Sequence, residues 1–132
     1  MIPSRALYLV RDRLKEKYMT SENCFAQYFE TALWAETNDD GDPLDGTYSI
    51  DDIDADFKKK SIKEIEDFLA QAERFIQADD LTDVLHDFWL TRNGHGAGFW
   101  DGDYCFGEEL TNLAKAFGEV NLYVGDDGKI YG

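Results

Sequence analysis

Basic residues are scarce in this chain. Thirteen Lys and Arg stand against 28 Asp and Glu, and the formal net charge is −15 at pH 7. A surface that neutralises phosphates needs the opposite balance, so direct nucleic-acid binding is not expected. Cysteine is nearly missing too. Cys24 and Cys105 make no disulfide framework, and reduced thiols in a cytoplasm are the expectation. No run of about 18 apolar residues occurs, so no membrane span is expected. The first residues, Met-Ile-Pro-Ser-Arg-Ala, lack a charged region followed by an apolar stretch and a cleavage site, so no secretory signal is read.

Large apolar side chains are plentiful. Nine Phe, seven Tyr and three Trp in 132 residues suffice for one core, which argues against global disorder and for a single domain over 1–132. The charge is regional. Arg5, Arg11, Arg13, Lys15 and Lys17 fall within residues 1–20. Residues 21–57 have no Lys or Arg but carry Glu22, Glu30, Glu36, Asp39, Asp40, Asp42, Asp45, Asp51, Asp52, Asp54 and Asp56. Lys58, Lys59, Lys60 and Lys63 make a short basic patch, and a second acidic tract runs from Asp79 to Glu109. Two readings of this acidity stand side by side. One is a solvated surface that maintains solubility. The other is a surface that imitates a duplex, which presents one charge per ~1.7 Å of axis, and is steered to basic sites.

The pattern predicts a mostly helical α+β fold with a small C-terminal antiparallel hairpin. Pro3 and Ser4 open a helix to about Tyr18, with Leu7, Val10 and Leu14 on one face and the basic residues on the other. A second helix starts at Thr20 or Ser21 and ends near Thr37, with Phe25, Tyr28, Phe29, Leu33 and Trp34 as its apolar stripe. Asn38 to Gly46 is a loop by composition. Ser49 and Asp52 suggest a capped turn over Ile50 to Phe57. Ser61-Ile-Lys-Glu64 reads as a capping box opening a helix to about Ala78. Asp80-Leu-Thr-Asp83 opens another, ending at Asn93-Gly94. A last helix covers Glu108 to Phe117. A strand then spans Glu119 to Val124, a turn Gly125 to Gly128, and a return strand Lys129 to Tyr131. Two strands alone are marginal, so the hairpin is expected to pack on helices or to pair with a third strand around Thr47-Tyr48.

Candidate chemistry gathers after residue 85. His86, His95, Asp101 and Asp103 have metal-binding side chains, but their spacing matches no known ligand motif. The competing reading has His95 bonded within a glycine turn that the two aspartates cap, and no metal site or cofactor is expected. Cys105 with His95 and Asp103 would need a base within reach and a third group to orient it. Its neighbours Tyr104 and Phe106 suggest a buried thiol instead, and Cys24 beside Phe25 reads as core. Gly94, Gly96 and Gly98 could cradle an anion, yet a helix precedes them and no Lys follows. Glu36, Asn38 and Asp40 partly match a calcium loop, but its last position is Thr47 where a bidentate Glu is needed. The aromatic run Phe88, Trp89, Phe99, Trp100, Tyr104 and Phe106 reads as core, with some of it available as an interface anchor.

The segment His86-Asp-Phe-Trp-Leu-Thr-Arg-Asn-Gly-His-Gly-Ala-Gly-Phe-Trp-Asp101, with Leu122-Tyr-Val-Gly-Asp-Asp-Gly-Lys-Ile-Tyr131, resembles a group of small phage and prophage proteins. The resemblance implies a mobile-element protein inside a bacterial host cell and transfers no catalytic residue. In composition alone, the acidity is similar to that of phage antirestriction and anti-CRISPR proteins that mimic DNA. The expectation is therefore a non-enzymatic protein that occludes a basic surface of a host nucleic-acid-binding complex. Its expected contacts are Glu30, Glu36, Asp39, Asp40, Asp42, Asp51, Asp52, Asp54 and Asp56, then Asp79, Asp80 and Asp83. The alternatives are a small metal-dependent or Cys/His enzyme centred on His95, Asp101, Asp103 and Cys105, and a structural or regulatory phage protein that binds through its aromatic C-terminal half.

Overall fold

The computed structural model describes residues 21–77, 79–95, 97–100 and 104–132, with side chains from residue 25 onward. The expected helix over Pro3 to Tyr18 lies outside the described residues, as do Cys24's side chain, Gly96, Asp101 and Asp103. Four helices are present among the described residues: α1 (Ser21–Ala35), α2 (Ala55–Ala72), α3 (Leu81–Arg92) and α4 (Gly107–Lys115). Strands β1 (Tyr123–Val124) and β2 (Ile130–Tyr131) pair antiparallel, Tyr123 opposite Tyr131. The fold is mostly helical α+β. No helix of the described residues is long and apolar enough to cross a membrane.

Each helix buries the stripe that its sequence sets. Phe25, Tyr28, Phe29, Ala32 and Leu33 of α1 are buried, as are Ile65, Phe68, Leu69 and Ala72 of α2. The rings form a stack at the centre. Phe68 lies flat on Phe88 of α3 at 4.1 Å between centroids, and Tyr28 meets Trp89 edge-on at 5.3 Å. Such offset and edge-on pairs add to the transfer of aromatic area out of water.

Arg92 ends α3 inside this core. Its Nη1 donates to Glu64 Oε1 and to Tyr28 Oη, both at 3.1 Å, while Nε and Nη2 donate to the carbonyls of Gly118 and Phe117. Those carbonyls follow α4, where the helix has no donor of its own to offer. One guanidinium thus joins α1, α2, α3 and the exit from α4. Burial, opposed by Arg92, pushes the Tyr28 phenol up to about 12, so it stays neutral and accepts this bond.

Several boundaries differ from the sequence reading. The helix expected from Ser61 starts at Ala55, because the Asp54 side chain accepts from the Phe57 N–H and caps it there. Ser61 falls mid-helix, buried, with no hydrogen-bond partner for its hydroxyl. The helix ends at Ala72 and passes into a 3-10 turn, Glu73–Phe75. The turn expected over Ile50 to Phe57 is only Ile50–Asp52, its start held by Ser49 N–H on Asp52 Oδ2 at 2.9 Å. The long strand shrinks to β1 because Val120 N–H is taken by the Asn93 side chain at 2.7 Å. The third element beside the hairpin is Ile53, which bridges Ile130 in parallel, not Thr47-Tyr48. The α3 boundaries hold: Asp80 accepts from Thr82 N–H, and Gly94 takes φ +69°.

Candidate functional site

The second half of α1 and the loops that follow it carry most of the acidic tract. Its carboxylates divide by use. Glu36, at the end of α1, is engaged: its Oε2 accepts from the Trp89 indole at 3.1 Å and from His95 Nε2 at 2.7 Å. Asp52, Asp54 and Asp80 accept backbone N–H groups at the starts of helical turns. These four expected contacts therefore work within the fold, and Glu36 is only 23% exposed. By contrast, Glu30, Asp39, Asp40, Asp42, Asp51, Asp56 and Asp83 are exposed, and no described group binds their carboxylates. Asp79 is half-buried. Glu30 and Asp51 come together across a cleft. Asp45 joins them there, and Leu33, Tyr48, Ser49 and Ile50 complete its lining; its volume is about 440 Å³.

The loop from Thr37 to Pro43 is closed by its own backbone, with Thr37 bridging Pro43 and Asn38 N–H donating to the Asp42 carbonyl at 2.9 Å. The Asn38 side chain accepts from the N–H groups of Asp40 and Asp42, at 2.9 and 3.0 Å. This is an Asx turn in which Asn38 Oδ1 faces donors, not a cation. With Glu36 bound to His95, the calcium-loop reading loses two of its three ligands. No group of three or more His, Cys, Asp or Glu among the described residues could hold a metal ion.

The two histidines are held apart by separate partners. His95 donates from Nε2 to the Glu36 carboxylate, which fastens the glycine-rich segment to the end of α1. His86 Nδ1 meets Thr31 Oγ1 at 2.9 Å. The Thr31 hydroxyl has one proton, and the Gln27 carbonyl, 2.8 Å away, can only accept it. Where that proton goes to the carbonyl, His86 Nδ1 donates to Thr31, and the direction of this bond follows the His86 tautomer. Trp34 meets the His86 ring at a tilt, 5.8 Å between centroids, and is 56% exposed, so it is the member of the expected apolar stripe that the fold leaves outside the core.

The glycine-rich segment packs closely against α3. Gly98 has φ +144°, and a Cβ there would stand 2.2 Å from Thr91 Oγ1. That hydroxyl accepts the Phe99 N–H at 3.1 Å. A close approach of backbone to side chain thus explains Gly98. Two further expectations are corrected. Cys105 is exposed, not buried. Trp100 and Phe106 are 59% and 42% exposed, whereas Phe88, Trp89 and Phe99 are core. Tyr104 sits between, donating to Asp87 at 2.7 Å; burial and that carboxylate raise its pKa.

No family model, curated protein or solved structure matches the chain.

The cleft is the one feature of the acidic surface that the sequence reading did not assemble. Asp45, Tyr48 and Ile50 were outside the expected contacts. The signal present in the sequence was the acidity itself: Glu30, Asp45 and Asp51 all stand in the stretch without Lys or Arg. The short 3-10 turns that bring Asp45 and Asp51 towards α1 have no comparable local signature.

Proposed function

We propose that this chain is a non-enzymatic acidic interaction protein of a phage or mobile element. It binds and occludes a basic surface of a host nucleic-acid-binding complex, of restriction or CRISPR type, in the bacterial cytoplasm. Nucleic acid and membrane are not its direct partners. The observation that carries this reading is the set of exposed carboxylates, Glu30 to Asp56, that the fold does not use, in a stretch without Lys or Arg. Such a field attracts basic surfaces and repels phosphates.

The test is affinity capture from a bacterial lysate on the full chain, with mass spectrometry of what is retained. The expected captive is a nucleic-acid-binding complex that duplex DNA displaces. Its affinity should fall steeply as salt rises, since exposed charges are screened beyond ~8–10 Å at physiological ionic strength. Binding that is indifferent to salt, or simultaneous with DNA on the same surface, rejects the reading.

The exposed Trp100 and Phe106 favour a second reading, a structural or regulatory protein that docks through its C-terminal aromatic segment. In that case Trp100→Ala abolishes capture, and Asp39→Asn with Asp40→Asn and Asp42→Asn does not.

A further inference from the structure

The cleft beside α1 differs from the rest of the acidic surface. Its lining includes Leu33, Tyr48 and Ile50, and its carboxylates come from three separate elements: Glu30 from α1, Asp45 from the 3-10 turn Leu44–Gly46, and Asp51 from Ile50–Asp52. None of the three carboxylates caps a helix or pairs with a described group. The volume of about 440 Å³ lies within the ~300–1,000 Å³ of small-ligand clefts.

We propose that this cleft seats an arginine of the protein partner, its guanidinium held by Glu30, Asp45 and Asp51 and its stem on the half-buried Tyr48 and Ile50. The inference rests on the acidic-interface reading and names the group at its centre. Charge complementarity excludes an anion. The three carboxylates are not a metal-holding group, so they do not suit a compact divalent cation. A guanidinium fits both parts of the lining. It is planar, weakly hydrated and stacks on aromatic rings, and its five N–H donors can serve several carboxylates at once. A lysine ammonium is more strongly hydrated and offers only three donors from one point.

The experiment is a titration of the isotope-labelled full chain, followed by amide NMR. The probes are the peptide acetyl-Leu-Arg-Leu-Arg-Leu-amide and its lysine and citrulline counterparts. The arginine peptide should shift the amides of residues 30–34 and 44–51. The lysine peptide should bind several-fold more weakly, and the citrulline peptide should not bind. Tyr48→Leu, which keeps apolar area but loses the ring, should weaken the arginine peptide by about three- to tenfold. Asp45→Asn with Asp51→Asn should weaken it at least as much. Both variants change half-buried or exposed residues, and their thermal unfolding checks that the fold is intact. Equal shifts at residues 39–42 and 79–83, with arginine and lysine peptides alike, would overturn the seat while leaving a diffuse acidic interface standing. No shift from any cationic peptide at low salt would overturn the seat as well. The acidic-interface reading has its own separate failure, a captured partner that duplex DNA does not displace.

Discussion

A guanidinium at 3% exposure must find acceptors for the N–H groups that it removes from water. Arg92 finds four, and each comes from a different residue. Arg92→Met should therefore cost about 3 kcal/mol, because it strips Glu64, Tyr28 and two helix-exit carbonyls of their donor together. Urea denaturation measures this, and a loss below about 1 kcal/mol would show that water replaces the arginine. The phenols give a second residue-scale expectation. Tyr28 and Tyr131 are raised from 10.0 to about 12, Tyr28 by burial and Tyr131 by its hydrogen bond to Asp127. A raised acid stays protonated in the fold, so its stabilisation is complete below pH 10 and is lost as the pH climbs towards 12. Phenolate absorbance should accordingly lag behind free tyrosine and rise together with loss of the circular dichroism signal. Complete tyrosine ionisation near pH 10 with the fold intact would contradict the burial of Tyr28.

Among the elements, α2 separates a capping signature from a working cap. Asp54→Ala should destabilise by about 1 kcal/mol, since the Phe57 N–H loses its acceptor. Ser61→Ala should cost nothing or stabilise by up to about 1 kcal/mol, because its hydroxyl is buried without a partner. Thermal unfolding of the two variants decides it; the reverse order would restore Ser61 as the helix start. The contrast also shows what a sequence can and cannot disclose. Ser61-Ile-Lys-Glu64 has the side chains of a capping box, but the pattern is blind to whether a helix already precedes it. Lys58, Lys59 and Lys60, read as a surface patch, are good helix formers and carry α2 back to Asp54. Around α3, by contrast, Asp80 and Asn93-Gly94 bracket the apolar residues with no competing signal, and both ends were legible. The length of β1 was not legible, because it depends on the side chain of Asn93, distant in sequence. The cleft was half legible: its acids stand in the tract, but their meeting depends on 3-10 turns set by tertiary contacts.

For the whole molecule, the net charge of −15 acts on two equilibria with opposite sign. Folding gathers like charges into a smaller volume, so self-repulsion opposes it at low ionic strength. The Debye length falls from about 30 Å at 0.01 M salt to about 10 Å at 0.1 M. Added monovalent salt should therefore raise the unfolding temperature while it weakens capture of a basic partner. Changing Asp39, Asp40 and Asp42 together to Asn makes the two effects separable. None of these carboxylates is bound by a described group, so the variant keeps every hydrogen bond and ion pair described in the fold. It should be as stable as the parent or up to about 0.5 kcal/mol more stable. The salt dependence of its unfolding temperature should be shallower, and it should associate with the partner more slowly at low salt, with dissociation little changed. Association and dissociation rates measured across a salt series give the answer. If the triple variant dissociates faster but associates at the parent rate, these carboxylates form a specific contact and not a steering field. The acidity would then belong to the interface itself, as the cleft at Glu30, Asp45 and Asp51 already does in the arginine-seat proposal.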